Sequence, residues 1–216
     1  MNKPSLMTTL AAGVLAAAAV IAGAPAAADD CPDVELIFAR GTGEPPGPGR
    51  VGQALADALG PQLGGRSLDV YGVDYPASLN FLAAASGADG AAARIADMGV
   101  RCPQTRLVLG GFSQGAAAVS MLAGVPPVGD RIGSIGSAPP LPPDAAGQIA
   151  AVAVFGNPGA RFGSPLSTTG AFAGRAIDVC VEGDPICSAG RDRAAHSAYE
   201  LPPYPQQAAA FVAALL

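Results

Sequence analysis

One serine, one histidine and a set of carboxylates are the residues in this chain that could make and break an acyl bond. Ser113 sits in Gly111-Phe112-Ser113-Gln114-Gly115, between the apolar run Leu107-Val108-Leu109 and the alanine-rich run that starts at Ala116. Strand, tight turn, helix, with serine at the apex, is the nucleophile-elbow pattern. The glycines two before and two after leave room where bulkier side chains would meet the strand and the helix. A helix starting there would point its amide-rich end at the place where negative charge develops. The motif alone is weakly specific, and a glycine-rich strand-to-helix turn with an idle serine is the competing assignment.

A serine hydroxyl needs a base to take its proton, and His196 is the single histidine in the sequence. A third member, a carboxylate that orients the imidazole, should lie between them in the chain order of this architecture. Asp130, Asp144, Asp178, Glu182, Asp184 and Asp192 qualify by position. Asp178 falls within an expected strand. Asp192, between Arg191 and Arg193, reads as a surface ion pair. Asp184 lies between Cys180 and Cys187 and precedes Pro185, so a small covalent ring and a proline would fix its carboxylate; it is the choice. The backbone N–H of Gln114 is the first expected oxyanion donor. Gly41-Thr42-Gly43, after another expected strand, suits the second, with the Thr42 hydroxyl beside it.

The elements that must position these groups alternate between apolar runs and helical spacings. Strands are expected at 34–39, 67–73, 105–111, 151–155 and 176–181. Helices are expected at 50–59, where Val51, Ala54, Leu55, Ala58 and Leu59 share one face, at 91–98 after a break at Gly87 to Gly90, at 114–123, and at 205–216 with proline at its start. Residues 124–147, rich in proline and glycine, read as a surface loop with little regular structure. This order implies an α/β fold with a mainly parallel sheet covered on both faces. Site residues then belong at the carboxyl ends of strands.

Residues 1–28 read as a secretory signal. Lys3 precedes the apolar stretch Leu10 to Ile21, and Ala26-Ala27-Ala28 is a cleavage pattern. The remaining residues, 29–216, are expected to form one domain that is secreted, monomeric and without a transmembrane anchor. Without the leader there are 11 arginines against 17 acidic residues, a net charge of −6 and no basic cluster, which excludes nucleic acid as an expected partner. Four cysteines in a secreted chain argue for two disulfides. Three connectivities exist, of which Cys180–Cys187 with Cys31–Cys102 is favoured by its short local loop. A zinc site is the rival reading, but the cysteine spacing is wrong for one and only one histidine is present.

Taken together, Cys31, Ala39-Arg40-Gly41-Thr42-Gly43-Glu44, Cys102-Pro103, the serine motif, Phe155-Gly156-Asn157-Pro158, Cys180 through Gly183-Asp184-Pro185-Ile186-Cys187, and His196 with Tyr199 resemble the cutinase family of secreted serine esterases, in particular its actinobacterial and mycobacterial members. The resemblance spans nearly all of the expected mature chain. It implies an α/β-hydrolase fold, a three-layer sandwich around a mainly parallel sheet. It also implies the two disulfides above, Ser113 as nucleophile, His196 as base and acid, Asp184 as its orienter, Thr42 and Gln114 as oxyanion hole, and no cofactor or metal. The implied substrates are small-molecule or lipid carboxylic esters of short to medium chain. Phospholipase A, thioesterase or polysaccharide deacetylase activity, or a surface protein with little activity, are the alternatives, and association with the cell envelope is left open. Arg191 and Arg193 before His196 depart from the apolar character of fungal cutinases there; a solvated loop is the favoured assignment for them, and a preference for soluble or anionic esters the alternative. Phe81 and Leu82 are candidates for the opposite wall of the acyl groove, with core packing as the competing assignment.

Overall fold

The computed structural model describes Met1, residues 31–125 and residues 135–216. The expected signal segment therefore lies, apart from Met1, outside the described residues. So does 126–134 of the expected loop.

Five strands form one sheet: β1 (Val34–Ala39), β2 (Leu68–Gly72), β3 (Arg106–Phe112), β4 (Ile149–Phe155) and β5 (Ala176–Val179). Their spatial order is β2-β1-β3-β4-β5 and every pairing is parallel. All six residues of β1 are buried, as a strand covered on both faces requires. Alternation along the strands divides two cores. Ile37, Ala39, Leu107 and Leu109 face α2 (Ala83–Arg101), α3 (Gln114–Leu122) and the short α4 (Pro143–Gln148). Val34, Leu36, Phe38 and Val108 face α1 (Gly49–Leu59) and the carboxyl-terminal α6 (Tyr204–Ala213). This is the three-layer α/β-hydrolase arrangement.

The chain starts in the interior of the sheet at β1, moves outward to β2, then crosses to β3 on the other side of β1. Successive connections thus diverge between β1 and β3, and a crevice opens above their carboxyl ends. The turns after Ala39 and Phe112 both lead into it.

Two local expectations differ from the structure. α2 runs unbroken through Gly87 and Gly90 rather than starting at Ala91. A Cβ on Gly87 would lie 3.1 Å from the Tyr75 ring and one on Gly90 3.1 Å from Val73, so these glycines let the helix sit close to the chain leaving β2. Their packing contacts outweigh glycine's low helix propensity. In the stretch read as loop, 143–148 is helical, with proline in its first turn, Asp144 near its positive end and Ala146 in the core.

Disulfides join Cys31 to Cys102 and Cys180 to Cys187. The first ties the chain ahead of β1 to the residue that follows α2. One polar pair is built into the sheet: Glu35 of β1, fully buried, accepts from Arg94 Nε at 2.7 Å and Nη2 at 2.8 Å, and the guanidinium lies 4.6 Å from the Tyr71 ring.

Candidate active site

Ser113 follows β3 with φ 54° and ψ −110°, a conformation that a non-glycine residue adopts at a cost. Its N–H donates to Phe155 O of β4 at 2.9 Å, which holds the turn against the sheet. The flanking glycines are required by contact. A Cβ on Gly111 would lie 2.5 Å from Gly115 O, and a Cβ on Gly115 only 1.9 Å from Ala39 O. Helix α3 thereby starts hard against β1, and the N–H of Gln114, in its first turn, has no intrahelical acceptor.

His196 lies on a short 3-10 turn, Ala195–Ser197. Its Nε2 is 2.9 Å from Ser113 Oγ and its Nδ1 is 2.8 Å from Asp184 Oδ2. Phe112 packs against the imidazole at 5.0 Å between ring centroids. Gly156, at φ 57°, makes room on another side, because a Cβ there would lie 2.9 Å from His196 Cε1. The hydroxyl, imidazole and carboxylate thus form one continuous chain of contacts, with the imidazole side chain 22% exposed and the carboxylate wholly buried.

Asp184 is held from every direction. It lies within the Cys180–Cys187 ring, its N–H donates to Val181 O, and its carbonyl accepts from Ser188 N and Ser188 Oγ. Gly190 crosses so close to Gly183 that a Cβ would lie 2.0 Å from Gly183 O. Burial alone would push the carboxyl up. Hydrogen bonds with His196, from the Tyr199 hydroxyl and from the Ile186 N–H at 2.7 Å outweigh that and hold it below the ordinary carboxylate range. Tyr199 is fully buried. Its hydroxyl donates to Asp184 Oδ2 and accepts from Val181 N at 3.2 Å; burial, then the neighbouring carboxylate, raise its pKa, so the phenol keeps its proton.

Two of the other carboxylate candidates are engaged elsewhere, and Asp130 lies outside the described residues. Asp178 accepts from Asn157 Nδ2 at 2.7 Å and Ser167 N at 2.8 Å, fixing the turn after β4. Asp192 accepts from the Ala194 N–H at 2.9 Å and forms no ion pair with Arg191 or Arg193 among the described residues, contrary to the surface-pair reading.

Thr42 stands across from Gln114, its hydroxyl donating to Gln114 Oε1 at 3.3 Å, while Gln114 Nε2 donates to Ser78 O at 3.2 Å. The Thr42 loop is built on Arg40, a buried cation that sequence reading left without a role. Its Nε donates to Glu44 O at 2.9 Å, Nη1 to Val73 O at 3.1 Å and Nη2 to Tyr75 O at 2.6 Å. Glu44 in turn accepts from Gly41 N at 2.7 Å and Arg50 N at 2.9 Å. A charged side chain so near both glycines was the available signal.

A groove of about 460 Å³ opens at Ser113. Leu79, Phe81, Ala117, Ile135, Pro158 and Ile186 form much of its apolar wall, with Thr42, Gln114 and His196 beside the serine. Phe81 lines it; Leu82, about half exposed, is not among its lining residues. Arg191 and Arg193 are exposed and do not line it, whereas Arg161 does.

A serine at a sharp turn after an interior parallel strand, facing a histidine from a late loop, defines an α/β hydrolase. Residues 30–216 match the cutinase family model. The chain belongs to the cutinase family. It is 48% identical over 211 residues to Phospholipase Culp4 of Mycobacterium tuberculosis, a match covering 96% of this chain and 90% of the relative. It is 40% identical over 217 residues to Carboxylesterase Culp1 of Mycobacterium bovis, covering 96% and 93%. Trichoderma reesei cutinase in complex with a phosphonate inhibitor superposes with a TM-score of 0.66 at 34% identity, over 86% of this chain and 77% of that one. The chain is a carboxylic ester hydrolase.

Proposed function

We propose that this protein is a secreted serine esterase acting on short- to medium-chain acyl esters through Ser113, His196 and Asp184. The observation that carries the reading is the continuous contact from Ser113 Oγ through His196 to Asp184, 2.9 Å and 2.8 Å, at the mouth of an apolar groove.

Ser113 Oγ attacks the ester carbonyl carbon as His196 Nε2 takes its proton. Asp184 holds the imidazole in the tautomer that leaves Nε2 free to accept, and stabilises the imidazolium that forms. The oxyanion is received by the amides of Thr42 and Gln114, with the Thr42 hydroxyl beside them. As the tetrahedral intermediate collapses, His196 gives the proton to the leaving alcohol and the acyl group stays on Ser113. Water then attacks the acyl-enzyme, His196 takes its proton, and the acid leaves as the proton returns to Ser113 Oγ. A groove of this size is in the range of small-ligand sites, and its apolar wall suits an acyl chain. The two disulfides support an extracellular setting. No helix among the described residues is long and apolar enough to cross a membrane.

The test is hydrolysis of p-nitrophenyl esters of increasing acyl length by wild type and Ser113→Ala. The expected result is an optimum at short to medium chains and a loss of about 10⁴-fold or more in kcat for the variant. Equal turnover by the two proteins would end the reading.

A further inference from the structure

We propose that Arg161 selects for substrates bearing an anionic group, a carboxylate or a phosphate, in the groove it lines. This rests on the esterase reading above and names the substrate class of that site.

Arg161 is the last residue of α5 (Pro158–Arg161), the turn that Asn157 and Asp178 anchor behind β4. Asn157 Oδ1 accepts from Gly159 N at 2.9 Å, and Asn157 Nδ2 donates to Asp178, so the helix that carries the arginine is fixed from beneath. The guanidinium is positioned as well. Nη1 donates to Pro185 O, in the same covalent ring that holds Asp184, and the guanidinium carbon lies 5.6 Å from the Phe162 ring. A carbonyl takes one donor and leaves the charge uncompensated. Among the described residues no carboxylate pairs with Arg161.

The setting makes that charge conspicuous. The protein as a whole is acidic, with a net charge of −5, so its long-range field disfavours anions. Apart from His196, the described residues lining the groove carry no other ionisable side chain. A planar guanidinium with donors remaining matches the two oxygens of a carboxylate or phosphate, as a lysine would not. The apolar wall of Leu79, Phe81 and Ile135 would then take the uncharged part of the substrate. The sequence draws attention to Arg191 and Arg193, but the arginine in the groove is Arg161.

The experiment compares kcat/KM for matched anionic and neutral esters in wild type, Arg161→Gln and Arg161→Lys, with the double variant Arg191→Gln/Arg193→Gln as control. Mono-4-nitrophenyl glutarate against 4-nitrophenyl butyrate places a carboxylate on the acyl side. 4-Butyryloxybenzoate against its amide places it on the alcohol side. 1-Butyrylglycerol 3-phosphate against 1-butyrylglycerol replaces it with phosphate. In at least one pair the anionic-to-neutral ratio is expected to fall about tenfold in Arg161→Gln, chiefly through KM, and to recover in part in Arg161→Lys. In wild type the same ratio should decline as salt is raised, and in the control it should stay within about twofold. An unaltered ratio in all three pairs, or a loss shared equally by both members, overturns the role of Arg161 while leaving the esterase standing. A folded wild type inert on all six esters would remove both readings together.

Discussion

Replacing Tyr199 by phenylalanine takes away one oxygen at the most crowded polar point of the site. That oxygen donates to Asp184 Oδ2 and accepts from Val181 N, and both partners are then left inside the protein. A hydrogen bond to a charged acceptor contributes about 1.5–3 kcal/mol, and an orphaned buried N–H costs about 1 kcal/mol or more. Tyr199→Phe should therefore lose about 2–4 kcal/mol of unfolding free energy at pH 7. The pH dependence has a definite sign. Asp184 is held below its ordinary value of 3.8, so its ionisation contributes stability that is fully present above the unfolded pKa and lost as pH falls through the lowered folded pKa. Without the tyrosine donor the folded pKa rises and part of that contribution disappears at neutral pH. The stability gap between the two proteins should be widest above about pH 5 and narrow as pH is taken toward 2. Urea unfolding of both proteins across this range, disulfides intact, measures it. A gap below about 0.5 kcal/mol at pH 7, or one that widens on acidification, would refute the reasoning. The contacts of His196 survive in this variant, so ester turnover should fall far less than the roughly 10⁴-fold loss expected of Asp184→Asn.

Gly115→Ala places a Cβ against the Ala39 carbonyl, which is backbone and cannot swing aside; about 3 kcal/mol or more should be lost, a fall in Tm of roughly 6–12 °C. Gly147→Ala, in a helix and facing open space, should by contrast change Tm by only a few degrees in calorimetry. Arg94→Met strands the buried Glu35 carboxylate and should cost about 3–5 kcal/mol in urea unfolding, much of it regained in Glu35→Leu/Arg94→Met; no recovery in the double variant would mean the loss is one of packing rather than charge.

Much of the architecture is legible because its signals are local. The apolar runs at 34–39 and 107–109 end in glycine-rich stretches, and such runs alternating with helical periodicity argue for a covered parallel sheet. The partners of Ser113 are narrowed by chemistry: one histidine in the chain, and one aspartate in a ring short enough to hold it still beside that histidine. What escaped depends on partners distant in sequence. The continuity of α2 through Gly87 and Gly90 follows from the approach of Tyr75 and Val73, which no local propensity reports. Arg40 has no evident role in the sequence until Val73, Tyr75 and Glu44 are brought around it. Leu82 and Phe81 are equivalent in a sequence, but the turn into α2 directs one to the groove and the other away from it. Asp192 has an arginine on each side along the chain, yet its carboxylate is spent on a backbone N–H two residues on.

The measurement that bears most directly on the mechanism is covalent labelling by an alkyl p-nitrophenyl phosphonate, read by intact mass and peptide mapping. One phosphonyl group per chain on Ser113, formed in step with loss of ester hydrolysis and absent in Ser113→Ala, is the expected result. Full hydrolytic activity in a protein that takes no label, or a label carried stoichiometrically by any other residue, would contradict Ser113 as the nucleophile.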